Sequence, residues 1–293
     1  MRIWLLGSIA LLAMTVPASA QSFPEDTEDS AIETRMSQEN GAKHSRFALL
    51  SHKPNYLLPA TYISSPNNPA YNSFKDVGGR LENMEAKFQI SFKIPVLEGL
   101  WGGKADIYAA YTQLALWQAY NARISAPFRE INYEPEAFLL YRTDIRLLGA
   151  KLNYLTIGFN HQSNGQIDPL SRSWNRIVTG ALLQKGKNYF LIRQWTRMPE
   201  RAKDDDNPGM GRYLGYGDIM FMRAGKNNTF SVLLRNNLRS SRNKGAVQAD
   251  WSFPLARNIR WYAQYFTGYG ETLIDYNRST TRIGLGVALT DWI

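Results

Sequence analysis

The sequence predicts an all-β fold, an antiparallel β-barrel that spans a membrane. Three observations carry this. From about Asn55 to the C-terminus, short stretches alternate apolar and polar residues with a period of two. After residue 20 there is no run of ~18 apolar residues, so no helix could cross a bilayer. The chain also opens with an export leader, which directs it out of the cytoplasm. Barrel strands are apolar on one face only, so modest average hydropathy does not oppose this fold.

The leader is residues 1–20. Arg2 supplies its positive charge, Ile3 to Val16 its apolar stretch, and Ala18-Ser19-Ala20 a small-residue cleavage site, so the mature chain should start at Gln21. Residues 21–54 form a polar N-terminal segment, of which Gln21 to about Lys43, rich in acids (Glu25, Asp26, Glu28, Asp29, Glu33), reads as mobile. Residues 55–293 form the barrel.

Within the barrel, Ala86, Phe88, Ile90, Phe92 and Ile94 alternate with Lys87, Gln89, Ser91 and Lys93. Ile107, Ala109, Tyr111, Ala115 and Trp117 repeat the pattern, interrupted by Gln113. Leu155, Ile157 and Phe159 follow it again. Lys185-Gly186-Lys187-Asn188 has the composition of a tight hairpin, whereas Lys203 to Gly209 reads as a longer, solvated loop in which Asp204 to Asp206 have no catalytic role. Phe230, Val232 and Leu234 follow a turn at Gly225 to Asn228. Ile259, Trp261, Ala263 and Tyr265 follow a turn near Pro254, and Ile283 to Leu289 close the chain. The 16 tyrosines and 8 tryptophans suit aromatic girdles at the two membrane interfaces.

Composition narrows the chemistry. There is no cysteine, which excludes disulfides, thiolate nucleophiles and cysteine metal sites. The formal charge is +9. An exported chain meets anionic lipid head groups rather than nucleic acid, although Lys and Arg could equally line a solvated lumen or rim. Any histidine mechanism must choose among His44, His52 and His161. The first two precede the clear strands and read as bystanders.

Strand parity selects His161. Counting in twos from Leu155 through Ile157 and Phe159 reaches His161 and then Ser163, which puts both on the lipid-facing side. Polar side chains there are costly without a purpose. In the next strand Asn175 shares parity with Ile177 and Leu183, while Arg176 falls on the lumenal face. A hairpin between the two strands sets Asn175 beside His161 and Ser163. A serine hydroxyl needs a base to take its proton, and the base needs a third group to fix its tautomer. Amides in the Asn164-Gly165 turn are candidate oxyanion donors.

The segments Tyr111-Thr112-Gln113, Asn132-Tyr133-Glu134-Pro135, Asn160-His161-Gln162-Ser163-Asn164-Gly165, Ser171-Arg172-Ser173-Trp174-Asn175-Arg176 and Leu273-Ile274-Asp275-Tyr276-Asn277 resemble those of the outer-membrane phospholipase A family, from about Glu85 to the C-terminus. The resemblance implies twelve strands and calcium-dependent hydrolysis of acyl esters in phospholipids and lysophospholipids (phospholipase A1 and A2 activity). It implies Ser163 as nucleophile, His161 as base, Asn175 as its orienter and the Gly165 N–H as oxyanion donor. Calcium would be held by Ser125 of one chain with Gln166 and Ser171 of the other, in an active homodimer whose interface includes Gln113. Relatives commonly carry Arg at position 166; a carbonyl ligand tolerates Gln, but the local charge differs. The terminal Ile293 also departs from the aromatic residue with which barrels often end. A passive porin or a lipid-capturing barrel would share the alternation, but would not need three catalytic-type residues on the apolar parity.

Overall fold

A strand that is apolar on one face and polar on the other can face lipid only if its polar side is enclosed and paired. This chain solves the problem by closing a ring. The structure, a computed structural model, describes residues 31–43, 49–72, 80–203, 205–225 and 227–292. The leader expected over residues 1–20, His44 and Asp204 lie outside the described residues.

In chain order the strands are β1 (Leu50–Ser51), β2 (Asn55–Ile63), β3 (Met84–Gly99), β4 (Ala105–Trp117), β5 (Phe128–Arg142), β6 (Arg146–Leu147), β7 (Ala150–Ser163), β8 (Ser173–Lys185), β9 (Asn188–Arg197), β10 (Gly217–Ala224), β11 (Thr229–Asn236), β12 (Gly245–Ala256), β13 (Ile259–Tyr269) and β14 (Ser279–Thr290). β1 and β6 are two-residue pieces. The other twelve pair antiparallel with their neighbours, and β14 returns to β2, so the barrel has no open edge. Among the described residues no helix is long and apolar enough to cross a membrane.

The two faces follow the alternation. Leu155, Ile157 and Phe159 of β7 are exposed on the outside, as are Ile283, Leu285 and Leu289 of β14. The lumen is filled by charge. Glu85 accepts from Arg129 at 2.6 Å and from Arg282 at 2.8 Å, Arg282 also reaches Glu271 at 2.8 Å, and Lys87 reaches the same Glu271 at 2.8 Å. Isolated, these buried charges would each cost several kcal/mol; as a connected set each has a counter-charge.

Long loops gather at one end and short turns at the other. In the β8–β9 hairpin, Lys185 pairs with Asn188 across two residues, and Gly186 (φ +56°) takes the conformation such a turn needs. The turn expected near Pro254 lies later: Pro254 sits inside β12, and a bulge there delays the hairpin to Ala256 and Ile259. A proline that cannot donate a ladder hydrogen bond is tolerated at such an irregularity.

The segment expected to be mobile behaves differently. Ala31–Lys43 forms helix α1, which docks in the lumen at the short-turn end. Ile32 is buried with Leu182, Tyr189, Met220 and Met222. Arg35 donates to the carbonyls of Trp292 at 2.7 Å and Ser51 at 2.8 Å, and Glu39 pairs with Lys93 at 2.9 Å. Its polarity, which suggested a solvated tail, matches the charged interior of a barrel.

Candidate active site

β7 and β8 bring the three residues together in the register that parity predicts. His161 is opposite Asn175 and Ser163 is opposite Ser173. His161 Nδ1 lies 2.8 Å from Asn175 Oδ1. A carbonyl oxygen only accepts, so Nδ1 carries the proton and Nε2 is left as the basic nitrogen. Ser163 stands two residues further along the same face, and all three side chains are half-buried on the outside of the wall.

The intervening residues are anchored on the lumenal face. Gln162, between His161 and Ser163, points into the lumen and accepts from Trp174 Nε1 at 2.9 Å. Arg176 donates to Asn160 Oδ1 at 3.0 Å through Nε, pairs with Glu134 at 3.2 Å and lies 4.0 Å above the Trp174 ring. Each catalytic-type residue therefore has sequence neighbours anchored on the opposite face of its strand. This is the support that a site on the outside of a barrel requires.

The β7–β8 loop is organised by Asn164. Its Oδ1 accepts from the Arg172 amide at 2.9 Å, its Nδ2 donates to the Leu170 carbonyl at 2.8 Å, and its own amide donates to the Arg172 carbonyl at 3.0 Å. The Gln166 amide also points at Asn164 Oδ1, at 3.4 Å. Between them the Gly165 amide has no acceptor among the described residues, and Gly165 has φ +64°. Of the two amides that the sequence offered for an oxyanion, the structure engages Asn164 and leaves Gly165.

Ser125 is exposed in the β4–β5 loop with φ +63°, Gln166 is exposed in the β7–β8 loop, and Ser171 is half-buried beside it. Ile124 and Leu170 join one apolar cluster with Tyr71, Leu81 and Ile274, so the two loops pack together. Ser171 Oγ donates to Asp206 Oδ2 at 2.5 Å. That bond fixes the hydroxyl while leaving its oxygen lone pairs open, and the hydroxyl and nearby carbonyls are the hard donors that calcium takes.

Gln113 points outward on β4. Its Oε1 accepts from Tyr111 at 3.1 Å. It is opposite Tyr133 on β5, and Tyr133 is in turn opposite Ser163, so one cross-strand row joins Gln113 to Ser163.

The loop that reads as solvated in the sequence is bonded to the strand ends beside the site. Asn207 accepts from the Ser173 amide at 3.0 Å, the Met198 amide donates to the Asn175 carbonyl at 2.8 Å, and Asp205 pairs with Arg197 at 2.6 Å. Sequence reasoning also gave no role to Tyr133, although its segment carries the family resemblance, or to Glu200, which no local pattern marks; both touch the site from other strands and loops. Two cavities of about 160 and 200 Å³ lie in the lumen, and neither is lined by Ser163 or His161.

The family model described as Phospholipase A1 matches residues 32–289. A curated Phospholipase A1 of Escherichia coli (strain K12) is 35% identical over 290 residues, covering 98% of this chain and 97% of the relative. The solved outer membrane phospholipase A of Escherichia coli superposes with a TM-score of 0.80 at 36% identity, covering 85% of this chain and 94% of that one. A Salmonella typhi outer membrane phospholipase, solved as a dimer with bound calcium, gives 0.80 at 35% identity over 85% and 94% of the two chains. Likeness of this extent, over a closed twelve-stranded barrel, makes the chain a member of the phospholipase A1 family of ester hydrolases.

Proposed function

We propose that this protein is a calcium-dependent outer-membrane phospholipase that hydrolyses acyl esters of phospholipids and lysophospholipids. The observation that carries the reading is the 2.8 Å approach of His161 Nδ1 to Asn175 Oδ1 on the lipid-facing wall, with Ser163 on the same face. A solved form of the Escherichia coli relative in which an active-site asparagine is replaced by alanine supports the role given to Asn175.

In this reading His161 Nε2 takes the Ser163 proton as Oγ attacks the ester carbonyl carbon. The oxyanion that forms accepts from the Gly165 N–H. His161 then gives its proton to the departing alcohol, which leaves Ser163 acylated. Water, deprotonated by His161, releases the fatty acid and restores the serine. Asn175 holds the imidazole in the tautomer that each transfer needs.

Ser125 of one chain, with Gln166 and Ser171 of another, would hold calcium; the ion supplies positive charge beside the oxyanion region. The calcium-bound dimer of the Salmonella typhi relative and the row from Gln113 to Ser163 favour a homodimer as the active form. In this reading dimerisation would form the substrate cleft on the outer wall. Residues 1–20 would be removed on export, 21–54 include the lumenal helix, and 55–293 carry the barrel.

A serine-directed fluorophosphonate tests the assignment. One label on Ser163, lost in His161→Ala, is the expected result; labelling of another residue would remove Ser163 as nucleophile.

A further inference from the structure

Asn175 uses both ends of its amide. Oδ1 faces His161, while Nδ2 donates to Glu200 Oε1 at 3.4 Å. Glu200 is half-buried at the root of the β9–β10 loop and is held there from two sides. Arg197 Nη2 reaches Glu200 Oε2 at 2.9 Å and Asp205 Oδ1 at 2.6 Å. The Met198 amide, two residues before Glu200, is bonded to the carbonyl of Asn175 itself.

We propose that Glu200 is a positioning residue for the Ser163–His161–Asn175 site, an inference that rests on the function proposed above. The amide end of an asparagine is close to two-fold about its last torsion, so packing alone scarcely distinguishes Oδ1 from Nδ2. A half-turn would present N–H to His161 Nδ1, force the ring proton onto Nε2 and leave no acceptor for the Ser163 proton. A carboxylate only accepts, so Glu200 admits Nδ2 and excludes the flipped form. Arg197 holds Glu200 in place from its other oxygen.

The charge has a second use. A catalytic aspartate would set a negative group directly against the imidazolium that forms during turnover. Here the orienter is neutral, and the negative group sits one hydrogen bond further out, acting through a polarised amide. A chain whose orienter is an amide gains from an outer carboxylate what an aspartate would have supplied itself.

The test uses the refolded full-length protein with calcium, assayed on phospholipid micelles. Glu200→Ala should lower kcat about fivefold, because one long hydrogen bond to a charged group is lost. KM and chemical crosslinking of the dimer should be unchanged. Glu200→Gln keeps an acceptor oxygen and should recover part of the loss. In an Asn175→Ala background, Glu200→Ala should cost nothing further, since no amide remains to be oriented. Wild-type kcat in Glu200→Ala, or the same loss in both backgrounds, would overturn the proposal. Ser163→Ala runs alongside: if that variant still hydrolyses lipid, the site assignment itself has failed, and the result is distinct from a failure of Glu200.

Discussion

Arg176 and Asn160 are paired across β8 and β7 on the lumenal face, one residue from Asn175 and His161 on the lipid face. The polar interior and the external site are therefore two sides of the same two strands. Arg176→Met should leave Glu134 with one cation fewer and lower stability by about 2 kcal/mol. The urea midpoint of the protein refolded into vesicles reports this. Hydrolysis should fall as well, although Arg176 lies across the wall from the site.

Gly165 joins a left-handed backbone to a close neighbour. A Cβ there would lie 3.0 Å from the Tyr133 ring, at φ +64°. Gly165→Ala should reduce kcat about tenfold by displacing an oxyanion donor, while the barrel unfolds as before. Circular dichroism beside the kinetic assay separates the two effects.

Acid should loosen the lumenal network through Glu271. Burial disfavours its ionised form, but Arg282 and Lys87 outweigh that and bring its carboxyl down to about 2 from the usual 4.5. Its stabilising contribution is complete above about 4.5 and is lost as pH falls toward about 2. Glu271→Gln should flatten the decline of stability across that window, read from unfolding midpoints at successive pH values. An equal acid response in the variant would mean that another carboxylate governs it.

Gln113 provides the test of assembly. Outside a dimer its N–H donors face lipid, where an unmatched amide is costly. Gln113→Ala should weaken association about tenfold, with calcium-stimulated hydrolysis falling in parallel. Full activity in a chain that no longer crosslinks would refute a dimeric active form.

The parts of this account that follow strand period were legible in the sequence. Phe159, His161 and Ser163 share a face because side chains alternate, and Asn175 falls opposite His161 because hairpin pairing preserves parity. What period two cannot convey is what a loop does when it folds back. Asp205 and Asp206 look solvated among polar neighbours, yet they bond Arg197 and Ser171. Glu200 meets Asn175 across 25 residues with no motif to mark it. Helix α1 eluded the same reasoning because a barrel inverts the usual rule: a charged helix suits this interior, so polarity gave no sign that Arg35 and Glu39 would be enclosed.

The most direct test of the central claim is fatty-acid release from phospholipid micelles by the refolded protein, with calcium or with chelator, beside Ser163→Ala. Release that needs calcium and disappears in the variant is the predicted result. Undiminished release by Ser163→Ala, or none by a wild-type protein shown to be folded and dimeric, would contradict it.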